Sequence, residues 1–205
     1  MGPILRQIDF TNAFTLSGLF FSFGVVLFSF HDQFYAAVMC LMFSGLVDLF
    51  DGFFAKRLKR TEEASAAGPA LDSLVDVCAF GFAPAVFAYC FGLQGPLSVA
   101  LLIAFMGVNA LRLAYFDRVG LTGNTFTGMP VTYTALLVPL AFTARFFLPD
   151  EGVVQILFVL YVFMAIAMVS NVPVRKLQGI WYVIFVAGAV VLTVIFVQAI
   201  VVEMG

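Results

Sequence analysis

Long apolar runs, separated by short polar turns, follow one another through the whole chain. Residues 13–30 carry no charge and are long enough to cross a bilayer core, which takes about 20 helical residues. Residues 33–47 are uncharged as well, and their apolar pattern continues past Asp48 and Asp51 to Ala55. Residues 77–111 are uncharged for longer than one span needs, and Gly92, Gly95 and Pro96 supply a turn that divides them. Further spans fit residues 129–148, 153–170 and 179–202. None of these runs alternates with period two, which argues against a membrane β-barrel. The pattern predicts an all-α polytopic membrane protein, a bundle of about seven transmembrane helices. The first run is too long for a signal-peptide core, and no small-x-small cleavage site follows it before His31, so it reads as a retained helix. Residues 3–12 read as a short interfacial segment, with Leu5, Ile8 and Phe10 turned to lipid.

Composition narrows the class. Hydrophobic residues make up 63% of the 205, and charged residues only 11%, against about a quarter in a soluble domain. That excludes a disordered chain and an ordinary water-soluble globule. A net charge of −2 offers no surface for nucleic acid, and the basic run Lys56, Arg57, Lys59 and Arg60 is too short to change this. Cys40, Cys78 and Cys90 lie in apolar stretches without C-x-x-C spacing and read as small hydrophobes. With seven spans and the N-terminus in the cytoplasm, Arg6, that basic run, Arg112, Arg118, Arg175 and Lys176 all fall on the cytoplasmic side. Arg145 alone falls outside, a sorting that follows the positive-inside rule. Trp181 and Tyr182 read as an aromatic interface belt. No repeat or linker marks a second domain.

The informative residues are the acids that interrupt the second and third runs. Each one at a helix centre costs roughly 2.5–3.5 kcal/mol on insertion scales. Asp48 and Asp51 are spaced i, i+3, and Asp72 and Asp76 are spaced i, i+4, so each pair shares one helical face. A short connection, residues 56–67, makes the two helices antiparallel neighbours and puts both pairs near the cytoplasmic end. Four carboxylates from two facing helices repel unless a cation sits among them, and hard divalent cations take oxygen ligands of this kind. Two such ions about 3.5–4 Å apart are a common way to run in-line displacement at phosphorus. Gly52, Ala55 and Gly68 lie beside the acids; they either leave room for a bulky ligand or serve close helix packing. His31 lies in the external turn, on the wrong side for this chemistry.

The run Asp48-x-x-Asp51-Gly52-x-x-Ala55, followed by Gly68-x-x-x-Asp72-x-x-x-Asp76, resembles the signature of the CDP-alcohol phosphatidyltransferases. Two departures stand out: Lys56 precedes Arg57 where the family usually has Arg directly after the alanine, and the gap to Gly68 is longer. Leu71 to Asp76, Phe80 to Ala85, Arg112 to Phe116, the Thr127 to Pro130 turn and Met168 to Asn171 are similar to the phosphatidylserine synthase branch. The resemblance implies one membrane domain, residues 1–205, with its core motif at 48–76. It implies transfer of a phosphatidyl group from CDP-diacylglycerol to L-serine, giving phosphatidylserine and CMP, at the cytoplasmic face of the inner membrane. It further implies two divalent cations, Mg²⁺ or Mn²⁺, on Asp48, Asp51, Asp72 and Asp76, with Asp76 as general base, and a homodimer. An ordinary aspartate is a weak base toward an alcohol, so proton transfer must be concerted with attack, or the surroundings must favour the protonated acid. By the same resemblance Gly52, Ala55, Lys56, Gly68, Asn12 and Thr15 are expected at the nucleotide. Arg112, Arg118 and Ser73 are expected at the substrate phosphate or the serine, although Arg112 also fits a snorkelling anchor. Other acceptors (glycerol 3-phosphate, inositol or its phosphate, choline) and a cation transporter are the competing readings. The scarcity of cations beyond Arg112 and Arg118 favours a small acceptor, and the clustering of all four acids at one end argues against a conduction path.

Overall fold

The computed structural model describes residues 2–120, 125–175 and 180–204, but not the side chains of Lys56, Arg175, residues 180–182 and residues 203–204. The expected belt of Trp181 and Tyr182, and the pair Arg175 and Lys176, therefore lie outside the described side chains. Helix α1 (Phe10–Phe30) starts at Asp9, whose carboxylate accepts the Asn12 N–H at 2.7 Å and satisfies a donor the helix itself cannot pair. Leu5, Ile8 and Phe10 are exposed, as the interfacial reading requires. Helix α2 (Phe34–Arg57) is antiparallel to it.

The third run departs from the expected layout. Only residues 58–61 join α2 to α3 (Glu62–Asp76), so most of the expected connection is helix. Thr61 caps α3 by accepting the Ala64 N–H, and Glu62 and Glu63 meet the positive end of its dipole. This first part of α3 is largely exposed and alanine-rich, so no apolar stripe betrays it in the sequence. From Asp76 the chain passes through a π-helical turn, Val77–Phe82, straight into α4 (Ala83–Phe91). The result is one apolar helix from Glu62 to Phe91.

A turn at residues 92–95 leads to α5 (Pro96–Val119), where Pro96 takes the first position and its missing N–H costs nothing. Then comes a compound helix: a 3-10 turn Val131–Tyr133, α6 (Thr134–Phe142) with Pro139 inside it, and a second 3-10 turn Thr143–Phe146. Helices α7 (Asp150–Val169) and α8 (Ile180–Met204) follow. Among the described residues six helices are long and apolar enough to cross a membrane; residues 131–146 form a shorter seventh. That short helix still runs the length of the bundle. Tyr133 reaches the acidic end, while Arg145 at the other end lies 5.0 Å from the Tyr35 ring and 5.8 Å from that of Phe91. Arg145 Nε also donates to Asp150 at 3.0 Å.

Close helix contact depends on small side chains, as in other membrane bundles. At Gly18 of α1 a Cβ would stand 2.8 Å from Val75 Cγ1, so only glycine lets α1 lie this near α3. One feature is not helical. Strand β1 (Thr125–Thr127) pairs antiparallel with β2 (Pro173–Arg175), Phe126 opposite Val174. Three residues are too few to show alternation, so the sequence pattern carries no sign of this ribbon. Gly128 follows it at φ +75°, and a Cβ there would meet the Met168 carbonyl at 2.5 Å. The expected turn at Thr127 to Pro130 is therefore pinned against the end of α7.

A polar tether closes the acidic end. Arg60 Nε donates to Asp9 at 2.7 Å, and Arg60 Nη2 donates to the Asn12 side-chain oxygen and to the Ala64 carbonyl. Burial alone would raise the Asp9 carboxyl, but the Arg60 hydrogen bond and charge outweigh it and hold the group below its ordinary 3.8. The tether contributes fully above about pH 5, where Asp9 is ionised whether or not the chain is folded, and fades as pH falls through the lowered value. Asp9→Asn should thus flatten the loss of thermal stability between about pH 6 and about pH 3 in detergent, relative to wild type. An acid profile identical to wild type would show that the ion pair contributes nothing.

Candidate active site

Helices α2 and α3 bring the four acids together. One oxygen each from Asp48, Asp72 and Asp76 lies within 4.8 Å of the others. Asp51 stands within hydrogen-bonding reach of Asp72 and accepts a bond from Thr15 Oγ1 at 2.9 Å. Asp51 and Asp76 are only 8% and 6% exposed. Like charges this close and this buried are costly without a counterion. The donor set is all hard carboxylate oxygen, gathered from three helical turns, and this fits a divalent cation such as Mg²⁺ or Mn²⁺.

The acids form one wall of a cavity of about 550 Å³. Arg57 of α2 and Arg112 of α5 also line it, and Phe116, Phe126 and Tyr133 supply apolar surface. Arg112 is buried at 7% exposure and interacts electrostatically with Asp76. Its Nε donates to the Met129 carbonyl at 3.2 Å, and its guanidinium lies 5.3 Å from the Phe116 ring and 5.4 Å from that of Phe126. A snorkelling anchor would reach for water instead; this side chain is buried and held inward, within electrostatic reach of Asp76. The π-helical turn begins directly after Asp76, a placement common at functional sites. Against that turn packs Asn109, fully buried, with neither amide atom hydrogen-bonded among the described residues.

The other expected residues divide. Gly52 and Ser73 border the cavity. Ala55 and Gly68 do not, and a Cβ on Gly68 would stand 3.2 Å from the Arg60 guanidinium. Asn12 is buried behind the site, donating to the Gln7 and Ala64 carbonyls and accepting from Arg60. Thr15 touches Asp51 rather than the open cavity. Arg118 is exposed and outside the lining. The Lys56 side chain lies outside those described. Sequence reasoning missed Phe126 and Tyr133, which reach the site from the ribbon and the short helix; nothing in their local pattern marks them.

Residues 9–202 match the family model of the CDP-alcohol phosphatidyltransferases. The chain belongs to that family. A CDP-diacylglycerol–serine O-phosphatidyltransferase of Helicobacter pylori strain 26695 is 32% identical over 96% of this chain and 85% of its own. An archaetidylserine synthase of Methanothermobacter thermautotrophicus is 30% identical over 60% of this chain and 52% of its own. A CDP-diacylglycerol–serine O-phosphatidyltransferase of Bacillus subtilis is 32% identical over 55% of this chain and 64% of its own. Thr15 fixes the direction of the Asp51 carboxylate by its hydrogen bond, and a cation held there would depend on that direction. Thr15→Val should weaken Mn²⁺ binding about 10- to 100-fold, the usual cost of losing an outer-shell partner, without unfolding the protein. Titration of purified protein with Mn²⁺, followed by electron paramagnetic resonance, checks this; wild-type affinity in the variant would remove Thr15 from the site.

Proposed function

We propose that this chain is a CDP-diacylglycerol–serine O-phosphatidyltransferase: it transfers the phosphatidyl group of CDP-diacylglycerol to L-serine and releases CMP. The observation that carries the reading is the convergence of Asp48, Asp51, Asp72 and Asp76 on one cavity with Arg112 opposite, in a chain whose relatives bear that name. Two divalent cations, Mg²⁺ or Mn²⁺, held by those aspartates would neutralise charge on the pyrophosphate and on the departing CMP. The serine oxygen forms a bond to the phosphatidyl phosphorus as the bond from that phosphorus to the CMP oxygen breaks. Asp76 takes the hydroxyl proton. It is buried within the acid cluster, away from bulk water. Arg112 binds a phosphate oxygen or the serine carboxylate with two parallel bonds. Gly52 and Arg57 border the room left for the nucleotide.

Orientation, location and assembly belong to the same reading. The acidic end gathers Arg57, Arg60 and Arg112, while Arg145 stands at the far end, which supports a cavity open to the cytoplasm in the inner membrane. A homodimer rests on the family resemblance alone. Nucleotide contacts by Ala55, Lys56, Gly68, Asn12 and Thr15, and a substrate contact by Arg118, remain part of the proposal. Those of Asn12 and Gly68 would require Arg60 to move on binding, since in this structure both face it.

The test is CMP release by purified protein with CDP-diacylglycerol and Mn²⁺, offering serine, glycerol 3-phosphate, inositol and choline separately. Release with serine alone is expected, with loss in EDTA. Release with a different alcohol only would keep the metal site and overturn the acceptor. Asp76→Asn should lower turnover by at least about 100-fold while the protein still inserts and folds. Near-normal turnover in that variant would dismiss Asp76 as the base.

A further inference from the structure

Arg112 is buried within electrostatic reach of Asp76, and among the described residues one hydrogen bond fixes it, from Nε to the Met129 carbonyl at 3.2 Å. A bond at Nε holds one point of the guanidinium but not the direction of its outer nitrogens. Two rings supply the rest. The ring centroid of Phe116, one turn further along α5, lies 5.3 Å from the guanidinium carbon, and that of Phe126 lies 5.4 Å from it. Both distances are inside the range, about 6 Å, over which the negative face of a ring attracts a cation. The two centroids are 5.4 Å apart with their planes tilted by 49°, so the three groups form one compact cluster.

Phe116 comes with the helix, but Phe126 has to be brought. The three-residue ribbon that carries it is too short to be stable by itself. It is stitched to the end of α7 and the residues just beyond: the Met129 N–H donates to the Ala167 carbonyl and the Gly128 N–H to the Val172 carbonyl, each at 3.0 Å. One short stretch of chain thus delivers both the Met129 carbonyl and the Phe126 ring to Arg112. Phe126 and Arg112 line the same cavity as the four aspartates. A side chain that only filled the cavity wall could as well be aliphatic. A ring beside a buried guanidinium does more, because the attraction is stronger where water is excluded.

We propose that Phe126 is a positioning residue: delivered by the ribbon, its ring holds the Arg112 guanidinium in the direction from which it binds an anionic group of the substrate. This rests on the role given to Arg112 in the proposed function and adds the residue that fixes its direction. The anionic group is either a phosphate of CDP-diacylglycerol or the carboxylate of serine, and Phe126 acts on either through Arg112.

The experiment uses full-length protein in detergent with Mn²⁺ and measures CMP release while CDP-diacylglycerol and serine are varied in turn. Phe126→Leu keeps an apolar side chain and removes the ring. It should raise the KM of the substrate that Arg112 binds about 10-fold, and leave kcat and the other KM within a few-fold. A rise for serine assigns the carboxylate to Arg112, and a rise for CDP-diacylglycerol assigns the phosphate. Phe126→Tyr should keep the wild-type value. Trifluorophenylalanine in place of Phe126, which preserves the shape of the ring and withdraws its negative face, should reproduce the leucine effect; a role in packing alone would not respond to it. In an Arg112→Gln background Phe126→Leu should add nothing, since its effect passes through the guanidinium. An unchanged KM in Phe126→Leu, a wild-type KM in the fluorinated protein, or full additivity with Arg112→Gln would overturn the proposal. So would a loss of Mn²⁺ affinity, read by electron paramagnetic resonance, large enough to account for the change. If Phe126→Leu does not fold or Arg112→Gln is too slow to assay, the fluorinated protein set against Phe126→Tyr decides alone. Wild-type KM values in Arg112→Gln would instead be a failure of the role given to Arg112. Wild-type release of CMP with a different alcohol and none with serine would be a failure of the serine reading, and the same variants are then compared with that alcohol.

Discussion

Mutual repulsion among four carboxylates, held where two apolar helices meet, sets the terms for the rest of this molecule. Asp48 and Asp51 on α2 and Asp72 and Asp76 on α3 would each be costly in an apolar bundle, and together they are costlier still. A site of this kind persists only if its neighbours compensate. Thr15 donates to Asp51, Arg112 lies within electrostatic reach of Asp76, and the geometry of the oxygens leaves space for cations. On the proposed function the same unfavourable field would favour divalent ions in the cluster, and those would attract a pyrophosphate.

Helix α1 is the element that makes this arrangement rigid. It lies along α2 and reaches α3 through Gly18, and it supplies Thr15 to the site. Its N-terminus is fastened to the start of α3 by the network of Asp9, Asn12 and Arg60. In this structure that network occupies the Arg60 guanidinium and the Asn12 side chain. On the other side of the cavity Arg112 is kept inward by the Met129 carbonyl and two aromatic rings. One of those rings, Phe126, comes from the ribbon that joins residues 125–127 to residues 173–175. Chemistry on α2 and α3 thus depends on segments far away in sequence.

Apolar run length and the spacing of acids were enough to determine a helical membrane bundle and the four aspartates of the site. Both are local properties: a span needs only sustained hydrophobicity, and i, i+3 or i, i+4 spacing puts two side chains on one face in any regular helix. Arg112 was singled out by the family resemblance, since an arginine at the end of an apolar run equally fits a snorkelling anchor. Tertiary structure alone decided the rest. The exposed start of α3 buries little, so its helix left no periodic mark, and it emerged only with the Thr61 cap and the Arg60 tether in place. The short helix 131–146 and the three-residue strands depend on neighbours for their stability, not on their own pattern. The pairings Thr15 with Asp51 and Ser73 with Asp117 join residues 36 and 44 positions apart. Contacts over such distances are set by how helices pack, and no one-dimensional spacing encodes them.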